Sequence, residues 1–176
     1  MKSTKSMKSM KSMKITLRYL PKRLTRKDRA VQSKMLLKSR RLYKKGKFYT
    51  RKTVSSYKSK KSHFITDAEK MYNVSKIGAT SELAKATGCS KKALAKIINK
   101  GAGAYYSSGS RPNQTAQSWG IARLASSITS GKAAAVDYNI LESGCNPNSR
   151  ALMLAKKAKR KYGHGTRRVP KVKMSK

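Results

Sequence analysis

Two histidines, two cysteines and six carboxylates are all that this chain of 176 residues offers to acid–base, nucleophilic or metal chemistry. His63 and His164 lie in or beside strongly basic stretches, where lone histidines are ordinarily solvated side chains. Cys89 and Cys145 have neither CxxC nor zinc-ligand spacing and read as reduced core thiols. The lack of a secretory h-region at the start makes the expected product an intracellular one. The carboxylates are too scattered to suggest a paired acid and base or a magnesium cage. The one approach to a phosphate-binding loop, "SSITSGKA", has Ser126 where the first glycine belongs and Ala133 where the hydroxyl belongs. The expectation is a protein with no catalytic residue, no cofactor, no metal and no small-molecule substrate.

What remains is the chemistry of contact. The stretch "GAGAYYSSGSRPNQTAQSWGIARLAS" holds only Arg111 and Arg123 as charges, in a chain of 44 lysines and arginines. Its glycines and proline predict a loop over 101–115, with Gly101, Gly103 and Gly109 free to turn. Tyr105, Tyr106 and Arg111 with the neighbouring serines suit a self-satisfying turn network, arginine on carbonyls and tyrosines packed beneath, better than an anion cradle. A helix then starts at the Thr115 cap and runs to 130. There Trp119 and Arg123, one turn apart, suit a cation–π contact. This loop and helix are the expected rigid hub.

The elements on either side follow from caps and spacing. Thr80 or Ser81 opens a helix carrying Leu83, Ala84 and Ala86 that Gly88 breaks, and Ser90 opens a second with Ala93, Leu94, Ile97 and Ile98, ended by Gly101. Ala84, Gly88, Leu94 and Ile97 fall where a helix-turn-helix over 81–100 wants them. Lys91, Lys92, Lys96 and Lys100 of the second helix suit phosphates, while base-edge readers are absent until Asn99. Plain helical packing is the favoured reading of this pair. Short helices are also expected from 67 and from 132, and a longer basic one over 25–45 with Leu24, Val31, Met35 and Leu42 as its apolar stripe.

Charge divides the chain. Residues 1–62 carry net +22, residues 63–149 net +5 and residues 150–176 net +11. Such repulsion predicts a mainly α protein: a small helical core over 63–149 between a long extended basic N-terminal arm, 1–62, and a basic C-terminal arm, 150–176. The first arm opens with a Lys-Ser-x repeat, "MKSTKSMKSMKSMK". Its later aromatics Phe48, Tyr49, Tyr57 and Phe64 suit anchors in a protein groove better than base-stacking platforms. No apolar run approaches the ~20 residues that span a bilayer.

The block "GCSKKALAKIINKGAGAYYSSGSRPNQTAQSWGIARLASSITSGKAAAVDYNILESGC", with "YLPKRLTRKD", "KSRRLYKKGKFYTRK" and "SSYKSKKS" upstream, resembles a family of small basic uncharacterised proteins of giant, nucleocytoplasmic large DNA viruses. Its core is also loosely similar to tailed-phage proteins. The resemblance runs over about 19–145 and carries no activity with it. It implies a virion protein. The leading expectation is a minor capsid or cement component whose arms bridge major and minor capsid proteins or rest on an acidic membrane surface. The alternative is a nucleic-acid-binding virion protein that packages genomic DNA, and a ribosomal-type protein stands third.

Overall fold

The computed structural model describes residues 14–164 and the backbone of 171–173. The Lys-Ser-x repeat lies outside the described residues. The fold is mainly α. A short strand β1 (Lys14–Thr16) and a 3₁₀ turn lead to α1 (Arg26–Tyr43), and a long irregular connection reaches α2 (His63–Tyr72). Then follow α3 (Ser81–Thr87), α4 (Lys91–Ser107), α5 (Ala116–Ile128), α6 (Lys132–Val136), α7 (Tyr138–Gly144) and α8 (Arg150–Tyr162). A strand β2 (Lys171–Lys173) returns antiparallel to β1, with Ile15 opposite Val172.

The main core lies where α2 to α8 meet. Leu83, Leu94, Ile97, Leu124, Ile128 and Leu141 are fully buried there. At its centre α4 crosses α5 with almost no side chain between them. A Cβ on Gly101 would stand 2.6 Å from the Gly120 Cα, and one on Gly120 would stand 2.5 Å from the Ile98 carbonyl oxygen. This corrects the sequence expectation. Gly101 does not end the helix. It lets α5 approach, and α4 runs on to Ser107 through Gly103, Tyr105 and Tyr106. Each helical glycine costs about 1 kcal/mol relative to alanine, which close packing at the crossing offsets. Only 108–115 is left as loop.

The two cysteines are joined, contrary to the expectation of separate thiols. Cys89 follows α3 and Cys145 ends α7. They face each other because the Ser90 N–H donates to the Gly144 carbonyl (2.7 Å) and the Asn146 N–H to the Gly88 carbonyl (2.8 Å). Sequence spacing carries no trace of a contact made across 56 residues.

The expected arms also need correction. Residues 14–62 are not an extended arm: the segment folds on itself around two small clusters, Ile15–Tyr19–Leu20–Leu36, against which Trp119 packs, and Leu24–Met35–Val54–Tyr57. Hydrogen bonds from Arg51 and Val54 tie it to 105–113. The stripe that α1 buries is Asp28, Gln32, Met35, Leu36 and Ser39; of the expected stripe Leu24 and Met35 are buried, Leu42 is half-buried and Val31 is exposed. Three of the five buried helix residues are polar, so apolar periodicity found only part of this face. The basic C-terminal segment likewise enters the core as α8, through Ala151, Leu152, Ala155 and Ala158, while Lys156, Lys157, Lys159, Arg160 and Lys161 stay outside. Net charge per segment cannot see that one face of a cationic helix is neutral.

Candidate nucleic-acid interface

Helices α3 and α4 are consecutive and joined by a three-residue turn at Gly88–Ser90. The Thr80 hydroxyl oxygen accepts from the Leu83 N–H and the Ser90 hydroxyl oxygen from the Ala93 N–H, each at 3.2 Å. Gly88, at φ +70°, takes the left-handed conformation that turns the chain between them. The disulfide and its two flanking backbone bonds clamp this turn to the α7–α8 junction.

One face of α4 is spent on the fold: Ala93, Leu94, Ile97, Ile98, Gly101 and Tyr105 are buried. The opposite face carries Lys92, Lys96, Asn99, Gly103 and Tyr106, spaced four, three, four and three residues apart, so they form one stripe. At 1.5 Å per residue it runs about 21 Å. Lys91, Lys92, Lys96 and Asn99 are exposed, and the first turn of α4 holds no acidic residue to oppose an anion. Beside Asn99 a groove of about 340 Å³ opens between the 76–80 turn, α4 and α5, with Lys76, Asn99 and Gln117 as its exposed residues and Ala95, Ile98 and Ile121 below them.

Lys100 belongs elsewhere. Its Nζ lies 2.9 Å from the Asp137 carboxylate, which is fully buried. Arg123 donates to both oxygens of that carboxylate at 2.8 Å, and the Ser127 hydroxyl adds a third bond at 3.0 Å. Burial pushes the Asp137 carboxyl upward, but the Arg123 bonds and charge, with Lys100, outweigh it and hold the group below its ordinary value. The expected Arg123–Trp119 contact is therefore replaced: Arg123 turns to Asp137, and Trp119 meets Tyr19 edge-on at 6.0 Å.

The neutral stretch acts as a wall for the basic N-terminal segment. Arg51, nearly buried, lies 3.7 Å above the Tyr105 ring. Its guanidinium donates to the Ser39 hydroxyl (3.0 Å), the Tyr105 carbonyl (2.9 Å) and the Ser110 hydroxyl (2.8 Å), and its own N–H donates to the Tyr105 hydroxyl (2.9 Å). Burial lowers the Arg51 pKa, and the neighbouring tyrosines oppose that shift. The Asn113 side chain pairs with Val54 as a strand would, accepting from its N–H (2.7 Å) and donating to its carbonyl (3.0 Å). Arg40 donates to the Ser108 carbonyl. Arginines thus satisfy carbonyls at the C-terminal end of α4, but these are Arg40 and Arg51 and not Arg111, which is exposed.

Charge remains to be placed. Among the described residues only Lys61, Lys100 and Arg123 lie within salt-bridge distance of a carboxylate. Asp28 accepts from the Ser55 hydroxyl and the Ser56 N–H, and Glu142 from the Tyr138 hydroxyl. The six carboxylates of the chain cannot balance its 44 cations, and most of the described lysines and arginines have no carboxylate within salt-bridge distance.

A model of a family of unknown function (DUF5824) matches residues 16–149. The chain belongs to that family. Comparison with curated proteins and with solved structures finds no match. The family span contains the wall, the α4–α5 crossing and the bonded cysteines together, and it begins well inside the segment that charge alone assigns to an arm.

Proposed function

We propose that this family member is a nucleic-acid-binding structural protein of the virion of a large double-stranded DNA virus, gripping the phosphate backbone through the outer face of α4. One observation carries the reading. That face is a rigid row of lysines without internal counter-charge, on the second of two helices joined by a three-residue turn, in a protein whose carboxylates are mostly committed to internal bonds. Phosphate contact of this kind positions the protein without reading sequence, and Asn99 is the sole base-edge reader on the stripe. The virion setting rests on the sequence resemblance.

A minor capsid role is the second reading. The exposed aromatic edge at Phe48 favours it, since protein partners also use such edges. Its original basis, free bridging arms, loses support from the packing of residues 14–62 and of α8.

The experiment is fluorescence anisotropy of a 20-base-pair duplex across a salt series. The expected result is affinity that falls steeply and linearly in log salt, equal for unrelated sequences. Salt-independent affinity, or none, with retention on stripped shells at high salt, would favour the capsid reading.

A further inference from the structure

Of the four aromatics set among lysines over 48–64, three are absorbed by the fold. Tyr57 is buried beside Leu24, Met35 and Val54, Tyr49 packs on that cluster, and Phe64 packs on the main core. Phe48 is not: it is 70% exposed. Yet it is held. Its ring centroid lies 5.0 Å from that of Tyr106, which lies 5.0 Å from fully buried Tyr105, the ring that Arg51 covers. Tyr43 flanks it at 6.1 Å. An exposed phenylalanine is thus the outer rung of a ladder whose inner rung is fixed in the fold.

Two further observations bear on what this ring meets. First, its surroundings are cationic: Lys44, Lys45 and Lys47 are exposed around the turn at Gly46, and from Asp28 to Asp67 the chain has thirteen basic residues and no intervening acid. Second, Tyr106 is the last member of the α4 stripe, about 15 Å beyond Lys96, so the ladder stands at the far end of the stripe that carries the lysines. A flat ring beside unpaired lysines, continuous with a phosphate-binding face, matches the chemistry of a nucleobase with its backbone.

We propose that Phe48, backed by Tyr106, is a stacking site for an unpaired base, so that the protein holds single-stranded nucleic acid at the Phe48 end of the α4 stripe. This rests on the nucleic-acid reading of α4 but adds a preference that a phosphate row alone lacks. Duplex DNA keeps its bases stacked on one another and offers the ring nothing, whereas a single strand gives it a face.

The test compares oligo(dT) with a duplex of the same length, for the full-length wild type, Phe48→Ala and Phe48→Trp. A stacked base lost to alanine corresponds to about tenfold in affinity. The expected result is a roughly tenfold loss for oligo(dT) in Phe48→Ala, no change for the duplex, restoration in Phe48→Trp and an unchanged melting temperature, since the side chain is exposed. Equal affinities of Phe48→Ala and wild type for oligo(dT) overturn the stacking site while leaving duplex binding standing. Equal losses on strand and duplex also overturn it, as does a Phe48→Ala defect confined to a poly-glutamate probe, which would mark a protein anchor. Failure of the wild type to bind either nucleic acid overturns the α4 reading, and the stacking site with it.

Discussion

The two halves of the molecule are held by different means. Around the α4–α5 crossing the fold uses mainly aliphatic side chains and bare glycine contact, with one buried charged network at Asp137. Around the 105–113 wall, with smaller clusters, it uses directed hydrogen bonds: Gln32 to the Tyr19 carbonyl, Arg51 to Ser39, Tyr105 and Ser110, Asn113 to Val54. The comparison teaches how a strongly cationic segment can still be ordered. It need not bury enough apolar area to offset repulsion by itself, because a preformed neutral surface supplies acceptors for its arginine and backbone. Uncompensated polar burial costs about 1–3 kcal/mol per group, so such a seam is specific as well as adhesive.

The largest expected effect comes from disrupting the apolar half. Gly120→Leu drives a side chain into the Ile98 carbonyl, a backbone atom that cannot yield. A loss of about 4 kcal/mol or more is expected, seen as global unfolding in circular dichroism. Next is the covalent tie. Replacing Cys89 and Cys145 by serine, or reducing the bond, should destabilise by about 3–4 kcal/mol for a loop of this length. Thermal melts with and without reductant measure it, and the double-serine protein should be insensitive to reductant. Smaller again is a cut in the polar half. Arg51→Ala leaves the Ser110 and Ser39 hydroxyls and the Tyr105 carbonyl short of a donor, for a loss of about 2 kcal/mol. That loss should appear mainly as new protease cleavage within 44–62, with the α4–α5 core intact. Equal cleavage throughout the chain would mean the two halves are one cooperative unit.

This difference also explains what could be read from sequence. The caps at Thr80, Ser90 and Thr115, the turn at Gly88 and the buried Leu83, Leu94, Ile97 and Leu124 were legible, because local hydrogen bonds and apolar periodicity specify them. The polar half was not. Gln32 and Ser39 look like surface residues of a basic helix, and only their distant partners make them interior. Gly101 and Gly103 signalled a loop, since a glycine that permits a helix crossing looks the same in sequence as one that permits a turn. Arg51, Asp137 and the cysteine pairing are settled by contacts across 54, 14 and 56 residues. Asp137 is the one carboxylate between Glu82 and Glu142, but nothing in the sequence says that it is buried. For the proposed interface, the sequence singled out Lys91, Lys92, Lys96 and Lys100; the structure leaves the first three exposed and gives Lys100 to Asp137, and the extension of the stripe to Tyr106 required the longer helix.

The most direct measurement is the salt dependence of duplex binding by a Lys91→Ala, Lys92→Ala, Lys96→Ala protein against the wild type. All three side chains are exposed, so the melting temperature should hold. Each lysine that touches a phosphate should lower the magnitude of the log–log slope by about 0.9, giving a drop approaching 2.7 for all three. An unchanged slope in the folded triple variant would mean that nucleic acid sits elsewhere on the cationic surface, and that the outer face of α4 is not the interface.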